Sequence, residues 1–137
     1  MHILLLFLDG VGLGDDNPNV NPFAAAHLPT LTALANGHRW LRTTGVQRSE
    51  RAVFVPTDPR LGVPGRPQSA TGQAAILTGL NVPRMIGEHY GPKPNATIRD
   101  ILAQHSFFKR VRDHGQPAAL LDAYPPRLHH DIARGKT

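Results

Sequence analysis

The order of segments along the chain predicts an α/β fold, a parallel-type sheet flanked by helices. Three observations carry that expectation. Residues 2–8 (His-Ile-Leu-Leu-Leu-Phe-Leu) form a short, nearly continuous apolar run that ends in Asp9. Residues 118–121 form a second such run, which ends in Asp122. Between them helical patterns alternate with a short β-branched stretch. A strand covered on both faces is apolar throughout rather than alternating, and strand–helix alternation implies right-handed crossovers between parallel strands.

Each element has its own signal. The run 2–8 is too short to span a membrane and suits a buried strand. Residues 15–22 (Asp-Asp-Asn-Pro-Asn-Val-Asn-Pro) are dense in turn formers and predict a loop. Pro29 to Ala35 predicts a short helix, with Thr30 as cap, Leu31 and Leu34 facing inward, and Asn36-Gly37 as its stop. Ala52 to Val55 predicts a second strand closed by Pro56. Gly62 to Pro67 is rich in Pro and Gly and predicts a loop that delivers Ser69 to the start of a helix. That helix carries Ala70, Ala74, Ile76 and Leu77 and stops at Gly79. Residues 87–95 are again irregular. Thr97 is the expected cap of a helix packing through Ile98, Ile101 and Leu102, with Asp100 at its N3 position and an end near Gln104. A further helix runs from Phe107 to His114 and stops at Gly115. Residues 118–121 then supply the third strand, and another helical pattern follows it.

Composition narrows the function. The chain has 137 residues, enough for one domain with a sizeable core. It has no cysteine, so neither a disulfide framework nor a thiolate zinc site is open to it. The N-terminus lacks a basic region and a small-residue cleavage site, which points to a cytoplasmic protein with no membrane association. The net charge of +5 suits anionic partners. The densest basic group, Lys109-Arg110 with Arg112, fits the solvated face of a helix. No nucleic-acid motif surrounds it, so nucleic acid is not an expected partner.

Chemistry concentrates in two stretches. Ser69 falls at or near a helix N-cap, where a hydroxyl caps free N–H groups and where those groups favour an anion. Asp9 ends an apolar run and precedes glycines, a position that serves either a turn or a ligand site. Glycines 10, 12 and 14 are followed by Asp15, so the dinucleotide spacing G-x-G-x-x-G is not met, and the P-loop pattern is absent as well.

Together the two stretches resemble the alkaline phosphatase superfamily of metalloenzymes. The carriers are an apolar strand ending in Asp9-Gly10, and Ser69 followed at nine and ten residues by Thr78-Gly79. The segment Ser69-Ala70-Thr71-Gly72-Gln73 is similar to that of the branch holding cofactor-independent phosphoglycerate mutases, phosphopentomutases and related metalloenzyme-domain proteins. The resemblance spans residues 1 to about 90. It implies that residues 1–137 are the N-terminal portion of one alkaline phosphatase-like domain, apparently truncated, since no Asp-x-x-x-His or Asp-His pair follows in that family's manner. It further implies Ser69 as phosphorylated nucleophile, Asp9 and Ser69 as metal ligands, and a complete site with two divalent ions, zinc or manganese. Thr71, Gln73 and His89 are the candidates for contact with a phosphorylated small molecule.

The expected activity is metal-dependent phosphoryl transfer or phosphate-ester hydrolysis through a phosphoserine. Ser69 and Asp9 should lie at one edge of the sheet. Ser69 rather than Thr71 should be the nucleophile, because a hydroxyl inside the first helical turn can bond back to the backbone. The chain alone should turn over little substrate, since a catalytic zinc takes about three protein ligands. Two other readings compete. In a haloacid dehalogenase-type phosphatase Asp9 would itself be the nucleophile, but the second acid of that pattern is replaced by Val11. A non-catalytic α/β binding module needs no chemistry at all. Asp15 and Asp16 fit a solvated acidic loop, Asp122 a strand-end ligand or a turn, and His129-His130-Asp131 a helix surface, where neighbours point about 100° apart.

Overall fold

Asparagine, serine and proline set the helix starts in this chain. The computed structural model describes residues 2–121 and 126–135, with the side chains of residues 128, 129 and 132 outside that description. Helix α1 spans Pro22–Ala25, where Asn21 accepts from the Phe23 amide, and α2 spans Pro29–Leu34 with Pro29 in its first position. Strands β1 (Gln47–Arg48) and β2 (Val53–Phe54) pair antiparallel, Gln47 opposite Phe54. Helix α3 spans Ser69–Thr78 and closes on Gly79 in the left-handed conformation, at φ 74°. Helix α4 spans Val82–Ile86, capped by Asn81. Helix α5 spans Ala96–His105, capped by the Asn95 side chain, which accepts from the Ile98 amide at 3.0 Å. Helix α6 spans Phe107–Asp113 with Ser106 as cap, and α7 spans Pro126–Ala133.

Two packed regions result. In the first, α3 packs on α4, α5 and α6. Its core is Ala70, Ala74, Val82, Ile98 and Ile101, with Leu80, Ile86, Tyr90 and Leu102 half-buried against it. The two alanines on α3 let α5 approach closely, and Val82 and Ile98 fill the space with no exposure at all. In the second, Trp40 lies between Phe23 and Phe54, with ring centroids 5.9 and 5.4 Å away, and its indole N–H donates to the Leu31 carbonyl at 2.7 Å.

The structure overturns the expected sheet. Among the described residues the only ladder is the two-stranded antiparallel pair β1–β2, and no parallel sheet flanked by helices is formed. Residues 2–8 and 118–121 are in no strand. The side chains of Ile3, Leu4 and Leu6 are 76–85% exposed, and Leu121 is 86% exposed. The physical reason is pairing. An apolar run supplies strand propensity, but a strand exists only where a second backbone offers N–H and C=O groups to it. The helices α3–α6 satisfy their own apolar faces on each other, so they cover no sheet.

Smaller expectations shift as well. The cap of α5 is Asn95 rather than Thr97, and α2 follows Leu28 with no side-chain cap in place of Thr30. The strand at residues 52–55 shortens to Val53–Phe54, and α1 and α4 form where a loop or nothing was expected. No helix among the described residues is long and apolar enough to cross a membrane.

Candidate active site

The site is built where the N-terminal segment touches the start of α3. Gln68 is the cap residue of that helix, in an extended conformation and without a side-chain cap bond. Ser69 is therefore the first helical residue rather than the cap, and its hydroxyl is not spent on the helix's own amides. It reaches across 60 positions of sequence instead. Ser69 Oγ donates to Asp9 Oδ2 at 3.0 Å and lies 3.4 Å from Oδ1. Asp9 is held in turn by a tight turn: the Gly10 amide donates to Asp9 Oδ1 at 2.9 Å, with Gly10 at φ 71°, where a side chain would be strained. A half-buried hydroxyl thus faces an exposed carboxylate, the arrangement of a weak nucleophile beside a proton acceptor.

The backbone around Ser69 is shaped by residues 87–92. The Thr71 amide donates to the Tyr90 carbonyl at 3.0 Å, and the Gly72 amide to the Gln68 carbonyl at 3.0 Å. Gly91 passes so close that a Cβ there would meet Ser69 N at 3.1 Å and Ala70 N at 3.3 Å. Glycine leaves a notch at that point, next to the first two amides of the helix.

The other candidates fall apart from this pair. Thr71 is fully buried, and its hydroxyl lies 3.3 Å from the carbonyls of Gln68 and Tyr90 while accepting from the Tyr90 amide at 3.2 Å. Its hydroxyl is committed to the backbone inside the fold rather than turned toward the Ser69–Asp9 pair. His89 Nε2 lies 3.2 Å from the Val63 carbonyl and so braces the loop that precedes α3. Gln73 lines a recess of about 90 Å³ with Ala70, Ala74, Leu77, Pro92, Pro94 and Leu102, in which Ser69 takes no part. Asp16 pairs with Arg39 at 2.6 Å and Asp15 with Arg42 at 3.6 Å, which makes both parts of a solvated loop. Asp131 lies 3.8 Å from Arg127. Asp122 and the His129 side chain are outside the described residues.

The donor set decides how well a metal fits. Asp9 and Ser69 bring one carboxylate and one hydroxyl together. Among the described residues no group of three or more His, Cys, Asp or Glu side chains converges as a metal site. About three protein ligands hold a catalytic zinc, so the described residues do not make a metal centre by themselves.

Sequence reasoning missed Tyr90, Gly91 and Gln68. Only Gly91 left a trace, as a glycine in the irregular stretch 87–95, and close approach is one of several reasons for such a glycine. Gly135-Lys136-Thr137 ends a P-loop in type, but position 130, where its first glycine belongs, is His130. No family model, no curated protein and no solved structure matches this chain.

Proposed function

We propose that this chain carries the nucleophile of a phosphoryl-transfer enzyme, with Ser69 as the phosphoryl acceptor and Asp9 as the group that takes its proton. The observation that supports the reading is the 3.0 Å contact between Ser69 Oγ and Asp9 Oδ2, from residues 60 positions apart. A serine hydroxyl is a poor nucleophile until a neighbour accepts its proton, and nothing in the helix competes for this one. In the step envisaged, Ser69 Oγ bonds to phosphorus, its proton passes to Asp9, and the alcohol of the ester leaves with a proton from Asp9 or solvent. Water or a second hydroxyl then takes the phosphoryl group. Of the first amides of α3, at the positive end of the helix dipole, those of Ser69 and Ala70 suit the phosphate oxygens, whereas those of Thr71 and Gly72 already donate to carbonyls. The substrate class is a phosphorylated small molecule, met in the cytoplasm, where a cysteine-free chain is at no disadvantage. The resemblance to the alkaline phosphatase superfamily supports the same assignment, and the zinc or manganese it implies would draw further ligands from beyond the described residues.

The test is phosphoryl trapping. The chain is incubated with dinitrophenyl phosphate or acetyl phosphate, with and without Zn²⁺ or Mn²⁺, and digested for mass spectrometry. The expected result is a phosphopeptide at Ser69, lost in Ser69→Ala and formed about a hundredfold more slowly in Asp9→Asn, the lower end of the range for a lost general base. Phosphate on Asp9 instead, as a base-labile acyl phosphate, favours the dehalogenase-type mechanism. No phosphopeptide under any condition favours the binding module. Either outcome overturns the proposal.

A further inference from the structure

We propose that Thr71 is a positioning residue that sets the Ser69 hydroxyl against Asp9, acting through the peptide of Tyr90 and the close pass of Gly91. The inference rests on the reading of Ser69 as the nucleophile and adds the device that aims it. Three observations carry it. First, Thr71 is a buried polar residue on α3, at 0% exposure, in a helix face otherwise made of alanine. A buried hydroxyl is retained against desolvation only where it is bonded.

Second, the bonds are reciprocal. The Tyr90 amide donates to Thr71 Oγ1 at 3.2 Å, and the Thr71 amide donates to the Tyr90 carbonyl at 3.0 Å. Both polar groups of Thr71 therefore address one residue, 19 positions away. The hydroxyl proton remains for the carbonyl of Gln68 or Tyr90, each 3.3 Å off. Gln68 is the residue just before Ser69, so one side chain ties the loop to the peptide that enters the nucleophile. Third, Tyr90 is anchored from its other end. It packs half-buried against the core of Ala70, Ala74, Val82, Ile98 and Ile101. The backbone it offers to Thr71 is fixed by the packing of α3, α4 and α5, not by solvent. Gly91 follows at once and runs within 3.1 Å of Ser69 N as measured from where its Cβ would stand. A side chain there makes a contact tighter than ordinary van der Waals distance, so the backbone of Ser69 has to give by a few tenths of an ångström. The clamp holds the backbone of the first turn of α3, from which the Ser69 hydroxyl donates to Asp9 Oδ2 at 3.0 Å.

The chain has no cysteine, so Ser69→Cys gives a single thiol whose alkylation by iodoacetamide reports its surroundings. A carboxylate facing a thiol disfavours the reactive thiolate. In the Ser69→Cys background, Asp9→Asn is expected to speed alkylation at pH 7 about fivefold, the effect of one charge about 4 Å away in a water-exposed site. With Thr71→Ser, which keeps the hydroxyl, the fivefold effect of Asp9→Asn persists. With Thr71→Val, which keeps the shape and removes the hydroxyl, it shrinks to about threefold or less, as it does once the charge lies about 6 Å away. Gly91→Ala, which leaves Thr71 intact and crowds Ser69 N, shrinks it likewise and serves where Thr71→Val does not fold. A merely structural role for Thr71 lowers stability without changing the ratio. A fivefold effect that survives either substitution in a folded chain overturns the proposal, and so does an Asp9→Asn effect below twofold with Thr71 and Gly91 intact. No phosphate ester enters this measurement, so its failure is separate from a failure of phosphoryl trapping.

Discussion

Residues 2–8 and the helices α3–α6 are both rich in apolar side chains, yet they end in opposite environments. Ile98 on α5 is fully buried, whereas Leu4 in the N-terminal tract is 85% exposed. Hydrophobicity is similar at the two sites; what differs is the partner. On α5 the apolar residues recur at helical spacing, so that helix presents one face, and alanines at 70 and 74 on α3 make room for Ile98 and Ile101. The tract 2–8 is apolar at nearly every position, and as a strand it would require cover on two faces. No other described segment supplies it. Burial is a property of pairs, and composition alone does not confer it.

The largest expected effect that sharpens this comparison is at Ile98. Ile98→Ala should destabilise the fold by about 3 kcal/mol, the usual range for a fully buried aliphatic residue, as measured by chemical denaturation. Leu4→Ala should stay within about 0.5 kcal/mol, as surface substitutions do. A cost at Leu4 comparable to that at Ile98 would break the comparison, since it would require the tract to be packed in solution.

The next effect concerns what holds α5 in register. Asn95→Ala removes the cap that accepts from the Ile98 amide and should cost about 1 kcal/mol. Thr97→Ala, at the position the sequence suggested as cap, should cost less than half of that. Equal costs at the two positions would return the cap to Thr97.

The smallest effect on stability, and the most visible one on behaviour, belongs to the tract itself. An uncharged apolar run with free backbone groups invites association between chains. The double substitution Leu4→Lys with Leu6→Lys should leave the unfolding free energy within about 0.5 kcal/mol and raise the concentration at which light scattering sets in. A large loss of stability instead would mean that the two leucines are buried.

The same contrast explains what could be read from the sequence. Helices α3, α5 and α6 were legible because their signals are local: apolar spacing along 70–77 and 98–102, and glycines at 79 and 115 that close them in the left-handed conformation. Asp9 and Ser69 were legible as residues because acid-glycine and loop-serine-helix are local patterns too. The parallel sheet was not, because residues 2–8 and 118–121 show strand character without showing whether a neighbouring edge exists for either. The site's inner support was also hidden. That Thr71 spends its hydroxyl on Tyr90 follows from the path of a loop of 19 residues, and no spacing rule encodes that path.

The tie between Thr71 and Tyr90 also dates the assembly of the site. It spans 19 residues, and the core around it lies wholly within residues 70–102. Contacts of such short range close quickly in helical proteins. The Ser69–Asp9 contact spans 60 residues, and closing that longer loop costs about 1 kcal/mol more chain entropy than closing the shorter. The first turn of α3, with Ser69 in it, is therefore set before Asp9 arrives. In pulse-labelled hydrogen exchange during refolding, the amides of Thr71 and Tyr90 should gain protection in the first phase; protection there only in the last phase would reverse the order.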